Sequence, residues 1–227
     1  MSTGILSSYS GLPPEIKRAV GFGTGVVVDK KGRGDFMTIA EAFDRVNTDA
    51  ATDAFGHAVR VFIRAGTYEE GKLIIKGFNM HVEGESWDTH IEHTQTANEA
   101  TITMETGAKQ ILQNVHISHT TTGQTGLMVH QNASHATIDR CWLGYADSVA
   151  IRSDGAYNRV QNCLIHHSDA DQVQFYGASA KAISNEIHSG AASGVNVNSN
   201  ADNSMINDNH IYDNGGDPIY VPSSAGN

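Results

Sequence analysis

The 227-residue sequence is poor in cysteine, proline, aromatic residues and positive charge. It has 2 Cys and 4 Pro, and its 15 Lys and Arg face 25 Asp and Glu for a net charge of -10. Such a charge disfavours nucleic acid and anionic membrane surfaces, because both are bound mainly through Lys and Arg. The sequence also lacks the apolar run of about 18 residues that a membrane span requires. We therefore expect neither nucleic acid nor membrane as a partner.

The beginning of the sequence lacks the charged and apolar regions of a secretory signal. We therefore expect a protein that is made in the cytoplasm and not exported by that route. The only two thiols, Cys141 and Cys163, stand at the same place in adjacent repeats. A disulfide between them is one possibility, but parallel side-chain directions oppose its geometry. We predict two buried, reduced thiols, as suits a reducing compartment.

What the sequence does contain is a repeat. A six-residue phrase that alternates apolar and polar residues occurs five times, at 112–117, 138–143, 160–165, 182–187 and 206–211. Its last residues are 26, 22, 22 and 24 positions apart. A second, three-residue phrase follows each copy, at 127–129, 149–151, 173–175, 195–197 and 219–221. A fixed period with two short strands per repeat indicates units that stack to bury their apolar faces.

The runs are too short for a helical solenoid, so the period predicts an all-β fold, a single-stranded parallel β-helix. Equivalent inward residues should form two columns. The first is Ile117, Leu143, Ile165, Ile187 and Ile211, and the second is Val129, Ile151, Phe175, Val197 and Val221. We assign residues 1–20, which carry no repeat, to an N-terminal arm and residues 21–227 to the β-helix domain.

One stretch departs from the strand pattern. Thr38 and Glu41 have the spacing of a helix capping box, and Ile39, Ala42, Phe43 and Val46 share one face of the helix that would follow. The stretch predicts a short amphipathic α-helix that covers the open N-terminal end of the solenoid.

The same region carries a family resemblance. The runs VVVD at 26–29, GDFMTIAEA at 34–42 and VFIRAGTYEE at 61–70 resemble the opening coils of pectin methylesterases. They are similar also to the wider pectin-lyase-like superfamily, which includes phage tailspikes. The resemblance implies a right-handed β-helix with an N-terminal helical cap. It implies no activity, since these residues would build the cap and first coil.

The esterase activity itself is disfavoured. The stretch most similar to the family's catalytic strand is residues 173–177, where Gln174 stands in place of the nucleophilic Asp. An amide cannot replace a carboxylate nucleophile in forming an acyl intermediate.

The sequence offers more candidate catalytic residues for a lyase or a glycosidase. Its candidate catalytic cluster is Asp147, Arg152, His166, His167, Asp169, Asp171 and Tyr176. A lyase needs a base and a group that neutralises the uronate, and a glycosidase needs two carboxyls about 5 to 9 Å apart. The alternative is that Asp147, Asp171, Ser193 and Asp217, which each stand two residues before the second phrase, close turns. Thr125 holds the same place in the first repeat.

The 12 His are spread over successive coils and faces instead of converging as zinc ligands do. We therefore expect no metal and no cofactor.

The preferred hypothesis is a non-catalytic structural or receptor- and glycan-binding component of a phage-like virion, of the capsid-decoration or tailspike type. We expect a homo-oligomer, most simply a trimer, with residues 1–20 also available to other virion proteins. The alternative is a polysaccharide lyase or glycoside hydrolase of the same fold.

Overall fold

The computed structural model describes residues 25–52, 58–76, 79–94, 99–105, 109–119 and 126–222. The predicted arm over residues 1–20 and the predicted turn residue Thr125 lie outside these ranges.

Short strands follow one another along almost the whole described chain, and one helix, α1 (Ile39–Thr52), separates the first strand from the second. The strands of the first half are β1 (Gly25–Val28), β2 (Val59–Ile63), β3 (Gly66–Glu70), β4 (Leu73–Ile75), β5 (Met80–Gly84), β6 (Thr89–His93), β7 (Ile102–Met104), β8 (Ile111–Gln113), β9 (His116–His119) and β10 (Val129–Gln131). Those of the second half are β11 (Thr137–Asp139), β12 (Trp142–Gly144), β13 (Ile151–Ser153), β14 (Arg159–Gln161), β15 (Leu164–His166), β16 (Val173–Phe175), β17 (Lys181–Ile183), β18 (Glu186–His188), β19 (Val195–Val197), β20 (Met205–Asn207), β21 (His210–Tyr212) and β22 (Ile219–Tyr220).

The strands form three parallel sheets that run the length of the molecule. The first sheet has the order β1-β2-β5-β8-β11-β14-β17-β20, the second β3-β6-β9-β12-β15-β18-β21 and the third β4-β7-β10-β13-β16-β19-β22. Each coil gives one strand to each sheet, and every strand pairs with its equivalent one coil away. The predicted parallel β-helix with a short N-terminal helix is confirmed.

The number of strands per coil differs from the sequence prediction, which had two. The six-residue phrase contains two strands joined by a corner, because its third residue adopts a left-handed backbone conformation. These corner residues are Asn114, Arg140, Asn162, Ser184 and Asp208, with φ between 51° and 56°. Non-glycine residues rarely take this conformation, and here it turns the chain from the first sheet into the second.

The interior columns were predicted correctly in the second sheet and incorrectly in the third. Ile117, Leu143, Ile165 and Ile187 are in register and fully buried. In the third sheet, however, Ile151 pairs with Val173. The true column is Val129, Ile151, Val173, Val195 and Ile219. Phe175 and Val197 belong to a neighbouring inward column that the sequence prediction merged with it.

The helix covers the N-terminal end of the core as predicted. Ile39, Ala42, Phe43 and Val46 are buried against β1, β2, β3 and β4. The Glu41 amide donates a hydrogen bond to Thr38 Oγ1 at 3.3 Å, which is the predicted cap. The carboxylate of Glu70 on β3 accepts the Ile39 N–H at 2.6 Å and so ties the helix N-terminus to the first coil. Burial raises the pKa of Glu70.

The last coil presents apolar side chains to solvent. Met205, Ile219, Tyr220 and Val221 are between 43% and 64% exposed, and they lie on or beside the terminal strands β20 and β22. Within the described ranges, no helix has the length and apolar character that crossing a membrane requires.

The two thiols are buried and free. Cys163 Sγ donates to the carbonyl of Gln161 at 3.1 Å, and Cys141 Sγ donates to that of Asp139 at 3.4 Å. Burial, followed by the neighbouring Cys141, raises the pKa of Cys163 well above its usual value, which removes the reactive thiolate.

We therefore expect Cys141 and Cys163 to react with a thiol reagent only after denaturation. Titration of native and urea-unfolded protein should give no labelled thiols and two labelled thiols, respectively. A mass deficit of about two hydrogens that reductant restores would instead reveal a disulfide and contradict this expectation.

Candidate functional site

The predicted cluster is divided between two sides of the solenoid. Arg152 lies on the outer face of the third sheet, and its guanidinium carbon stands 4.4 Å from the centre of the Tyr176 ring. Arg152 Nε also donates to Asp154 at 2.9 Å, and His130 Nε2 bonds the other oxygen of Asp154 at 2.8 Å. His166, by contrast, ends β15 in the second sheet.

Asp171 is saturated with hydrogen bonds. It is buried, and one carboxylate oxygen accepts the Ser193 N–H at 2.8 Å. The other oxygen accepts from the amides of Gln174 and Asn196 at 2.9 and 2.8 Å. The carboxylate therefore braces two coils, which is the turn-closing role that the sequence left open.

Asp147 aligns with Asp169 and not with Asp171. The registers Gly144↔His166 and Ile151↔Val173 enclose turns of equal length, so Asp147 and Asp169 are equivalent. The predicted Asp147 and Asp171 column is therefore wrong by two residues, for the same reason as the apolar column in the third sheet. Asp169 is exposed, and its amide bonds the Ala146 carbonyl at 2.9 Å.

Asp147 contacts a buried histidine. Its N–H donates to His119 Nδ1 at 3.4 Å, and His119 Nε2 lies 2.9 Å from Thr101 Oγ1. Burial, then the charge of His93, lowers the pKa of His119 to about 4. The ring is therefore neutral at pH 7, and its contact with Asp147 is a hydrogen bond to the backbone N–H and not an ion pair with the carboxylate, whose oxygen is 3.5 Å away.

A row of rings runs along the outer face of the second sheet, stacked at every step except the tilted contact of Trp142 with His166. We call it the ring ladder, and it consists of His90, His116, Trp142, His166, His188 and Tyr212. Successive centroids are 4.0, 4.5, 5.9, 5.4 and 4.9 Å apart. Parallel strands one coil apart lie about 4.8 Å from each other, so side chains in register are placed at stacking distance.

The ladder changes column at Gly144. His116 and Trp142 are in register, whereas His166 is in register with Gly144. A Cβ at Gly144 would lie 2.6 Å from His166 Cε1. The absence of a side chain there lets the His166 ring lie over Gly144 and reach Trp142.

His166 is held in a single tautomer by its neighbours. The Trp142 indole N–H, which can only donate, bonds His166 Nε2. His166 therefore carries its proton on Nδ1, and it donates that proton to His167 Nδ1 at 2.6 Å. The proton of His167 then resides on Nε2. Burial, followed by the charges of His167 and His188, lowers the pKa of His166 to about 4.

Three exposed rings flank the ladder. Tyr145 is 57% exposed and stacks on His167 at 5.1 Å, and Trp87 is 48% exposed and meets Trp142 edge-on at 6.2 Å. Tyr145 and His167 are equivalent residues one coil apart, and both have a positive φ, of 64° and 55°. We call Trp87, Tyr145 and His167 the exposed platform.

The charged side chains of this side are mostly acidic. The strands β12, β15, β18 and β21 and the turns that follow them, at 145–150, 167–172, 189–194 and 213–218, contain no Lys or Arg. Their carboxylates are Asp147, Asp169, Asp171, Glu186, Asp213 and Asp217. Burial, followed by the charges of His90 and His166, lowers the pKa of His116 to about 4, so its ring adds no positive charge at neutral pH.

Sequence reasoning found part of this side. His166, His188 and Tyr212 each directly follow the last apolar residue of the six-residue phrase, which predicts that they align, and the structure places them in register. The sequence pattern did not predict that the ring ladder extends to His90, because the ladder changes column at Gly144. Trp87 and Tyr145 carry no repeat signal, since each lies in a corner.

Among the residues that the structure describes, no group of three or more His, Cys, Asp or Glu is placed to hold a metal ion.

Comparison with known proteins agrees with this architecture. Residues 125–227 match the family model described as right handed beta helix region. No curated protein matches the chain. The A-module of mannuronan C-5 epimerase AlgE6 from Azotobacter vinelandii superposes with a TM-score of 0.68 at 15% identity, over 94% of this chain and 57% of that one.

Two further solved structures are similar. ORF18 of Geobacillus virus E2 gives a TM-score of 0.64 at 15% identity, over 93% of this chain and 46% of that one. Pectin methylesterase from carrot gives 0.58 at 19% identity, over 82% of this chain and 63% of that one. The chain thus spans about half the length of the first two, and such low identities establish the fold alone.

Three parallel sheets, with one strand from each per coil, show that the chain folds as a right-handed parallel β-helix, and its residues 125–227 match the family model of that fold.

Proposed function

We propose that the protein is a non-catalytic, glycan-binding component of a phage-like particle, of the capsid-decoration or tailspike type. The observation that carries the proposal is the ring ladder with its exposed platform. The imidazoles of His90 and His116 stack face to face, whereas Trp87 and Tyr145 are 48% and 57% exposed. Aromatic faces beside polar edges suit a sugar, which has an apolar ring face and hydroxyls at its rim.

The virion context rests on the similarity to the Geobacillus virus E2 protein, which covers 93% of this chain. The enzymes among the similar structures support the alternative of a polysaccharide-active enzyme. The bonding of the predicted catalytic cluster favours binding over catalysis. Asp171 accepts three hydrogen bonds, and Arg152 is held by Asp154 and Tyr176. The Asp171 carboxylate is therefore engaged in bonds within the fold, which counts against its use as one of the two carboxyls that a glycosidase requires.

We expect Tyr145→Ala to weaken binding to a neutral polysaccharide about tenfold, and Trp87→Ala to have a similar effect, because each removes an exposed aromatic surface. Affinity electrophoresis over a panel of neutral polysaccharides measures the change. Tyr157→Ala is the matched control, since Tyr157 is 58% exposed but lies at a corner away from the ladder.

The same mixtures test the absence of catalysis. After prolonged incubation, we expect no new reducing ends and no unsaturated products from the polysaccharide that is bound. Turnover that Asp169→Asn abolishes would refute the non-catalytic proposal and favour the enzyme.

The proposed assembly is a homotrimer. Ile219, Tyr220 and Val221 are exposed apolar residues at the end of the third sheet, and closed cyclic symmetry is a common way in which copies cover such residues. Residues 1–20 are proposed as a second contact, with the other copies or with other virion proteins.

We expect the full chain to have the mass of a trimer in light scattering, and Val221→Asp to shift it toward monomer by placing a charge in the apolar contact. Tyr157→Ser is the control for loss of an exposed apolar side chain elsewhere. A wild-type monomer at micromolar concentration would contradict the proposal.

A further inference from the structure

Two consecutive hydrogen bonds that begin at Trp142, which we call the relay, indicate which class of glycan the site binds. Trp142 N–H donates to His166 Nε2, and His166 Nδ1–H donates to His167 Nδ1. Because an indole only donates and a neutral imidazole carries one proton, each step determines the next. The relay ends at His167 Nε2–H. His167 is exposed and stacks on Tyr145, which is 57% exposed, so this donor lies beside an exposed aromatic ring.

Gly144 is the residue that makes the relay possible. The position is occupied by Ser118 one coil earlier and by His166 one coil later. A Cβ at Gly144 would lie 2.6 Å from His166 Cε1 and 2.8 Å from His166 Nε2, which is the atom that accepts from Trp142. The backbone of Gly144 does not have a positive φ, so alanine is tolerated by the chain but displaces the ring.

The charge around the relay selects against anions. The surrounding strands and turns carry Asp147, Asp169, Asp171, Glu186, Asp213 and Asp217 and no Lys or Arg. Arg140, whose carbonyl accepts from the Trp87 indole, lies just before β12, and its guanidinium is paired with Asp139 at 3.2 Å. The His116 and His166 rings, whose pKa values burial lowers to about 4, add no positive charge at pH 7. A uronate polymer would meet repulsion here, whereas the hydroxyls of an uncharged sugar both donate and accept.

Building on the proposed function, we propose that the Trp142, His166 and His167 relay and Tyr145 form a subsite for an uncharged glycan. His167 donates to a sugar hydroxyl through Nε2–H, and the sugar ring packs against Tyr145. His166 is a positioning residue, and Gly144 determines specificity through it.

The relay is tested without ligand. Nitrogen-15 correlation spectra of the imidazoles in the wild-type chain should show a proton on His166 Nδ1 and on His167 Nε2, with none on His166 Nε2. Gly144→Ala should abolish this pattern, and Thr137→Ala, on the first sheet, should leave it unchanged. A proton on His166 Nε2 in the wild type would overturn the relay.

The ligand class is tested with neutral galactan, mannan and glucan oligosaccharides, polygalacturonate and chitosan oligomers at pH 7. We expect a neutral member to bind best, and Gly144→Ala and His167→Ala each to weaken it about tenfold, with Thr137→Ala again unchanged. Stronger binding of polygalacturonate or chitosan would contradict the proposal that the ligand is uncharged, but it would still support a glycan-binding function. Binding to no member would overturn both proposals.

Discussion

Ile165→Asp is expected to abolish folding. Ile165 is fully buried in the second sheet between Leu143 and Ile187, and a carboxylate there would have no partner in an apolar column. Such burial costs on the order of several kcal/mol, comparable with the whole stability of a domain. Circular dichroism and a thermal melt should show no cooperative transition at 25 °C or above.

The adjacent residue supplies the control. Leu164 lies on the same strand but faces outward and is only partly buried, so Leu164→Asp should retain the fold at a cost of about 1 kcal/mol. If the two variants melted alike, or if Ile165→Asp melted cooperatively near the wild type, the inward and outward assignment of β15 would be wrong.

Lowering the pH is expected to destabilise the protein already at pH values well above those at which ordinary carboxylates titrate. The pKa values of His116, His119 and His166 are lowered to about 4, chiefly by burial, whereas in the unfolded chain they return to about 6.5. Between these values the unfolded state binds more protons, so the free energy of unfolding falls as the pH falls from about 6.5 to about 4. Glu70, whose pKa burial raises, acts in the opposite direction and offsets part of the loss.

His119 should account for a clear share of this loss, because it is as buried as His166 and more buried than His116. We expect the loss of unfolding free energy between pH 7 and pH 4.5, measured by urea denaturation, to be about 2 kcal/mol smaller in His119→Gln than in the wild type. His210→Gln, at an exposed position of β21, should leave the loss unchanged. Equal pH profiles for the wild type and His119→Gln would contradict the neutral, buried imidazole.

The sequence predicted the parts of the fold that repeat with constant spacing. The column from Ile117 to Ile187 and the buried face of the helix follow from hydrophobic period alone. The third sheet was misaligned because Val173 and Phe175 are both apolar and both point inward, so the pattern is unchanged by a shift of two residues. Only the backbone register, Ile151 with Val173, distinguishes them.

The candidate site was harder to predict, because its exposed rings lie at corners between strands. Tyr145 and His167 stack since both adopt a left-handed conformation at equivalent corners, which hydrophobic periodicity does not reveal. The sequence did point to His166 and His167. It grouped them with Arg152 and Tyr176, however, which the three-sheet geometry places on a different face.

The most direct test of a non-catalytic glycan site on the ring ladder is to map where a neutral oligosaccharide binds on the wild-type chain. Amide and aromatic chemical-shift perturbation, read during titration with the best-binding neutral oligosaccharide, reports the contacted face. We expect the perturbed residues to be Trp87, Trp142, Tyr145 and His167 and their neighbours on β9, β12 and β15, with the sugar recovered intact. Perturbation centred on Arg152 and Tyr176 of the third sheet, or cleavage of the sugar during the titration, would contradict a non-catalytic glycan site on the ring ladder.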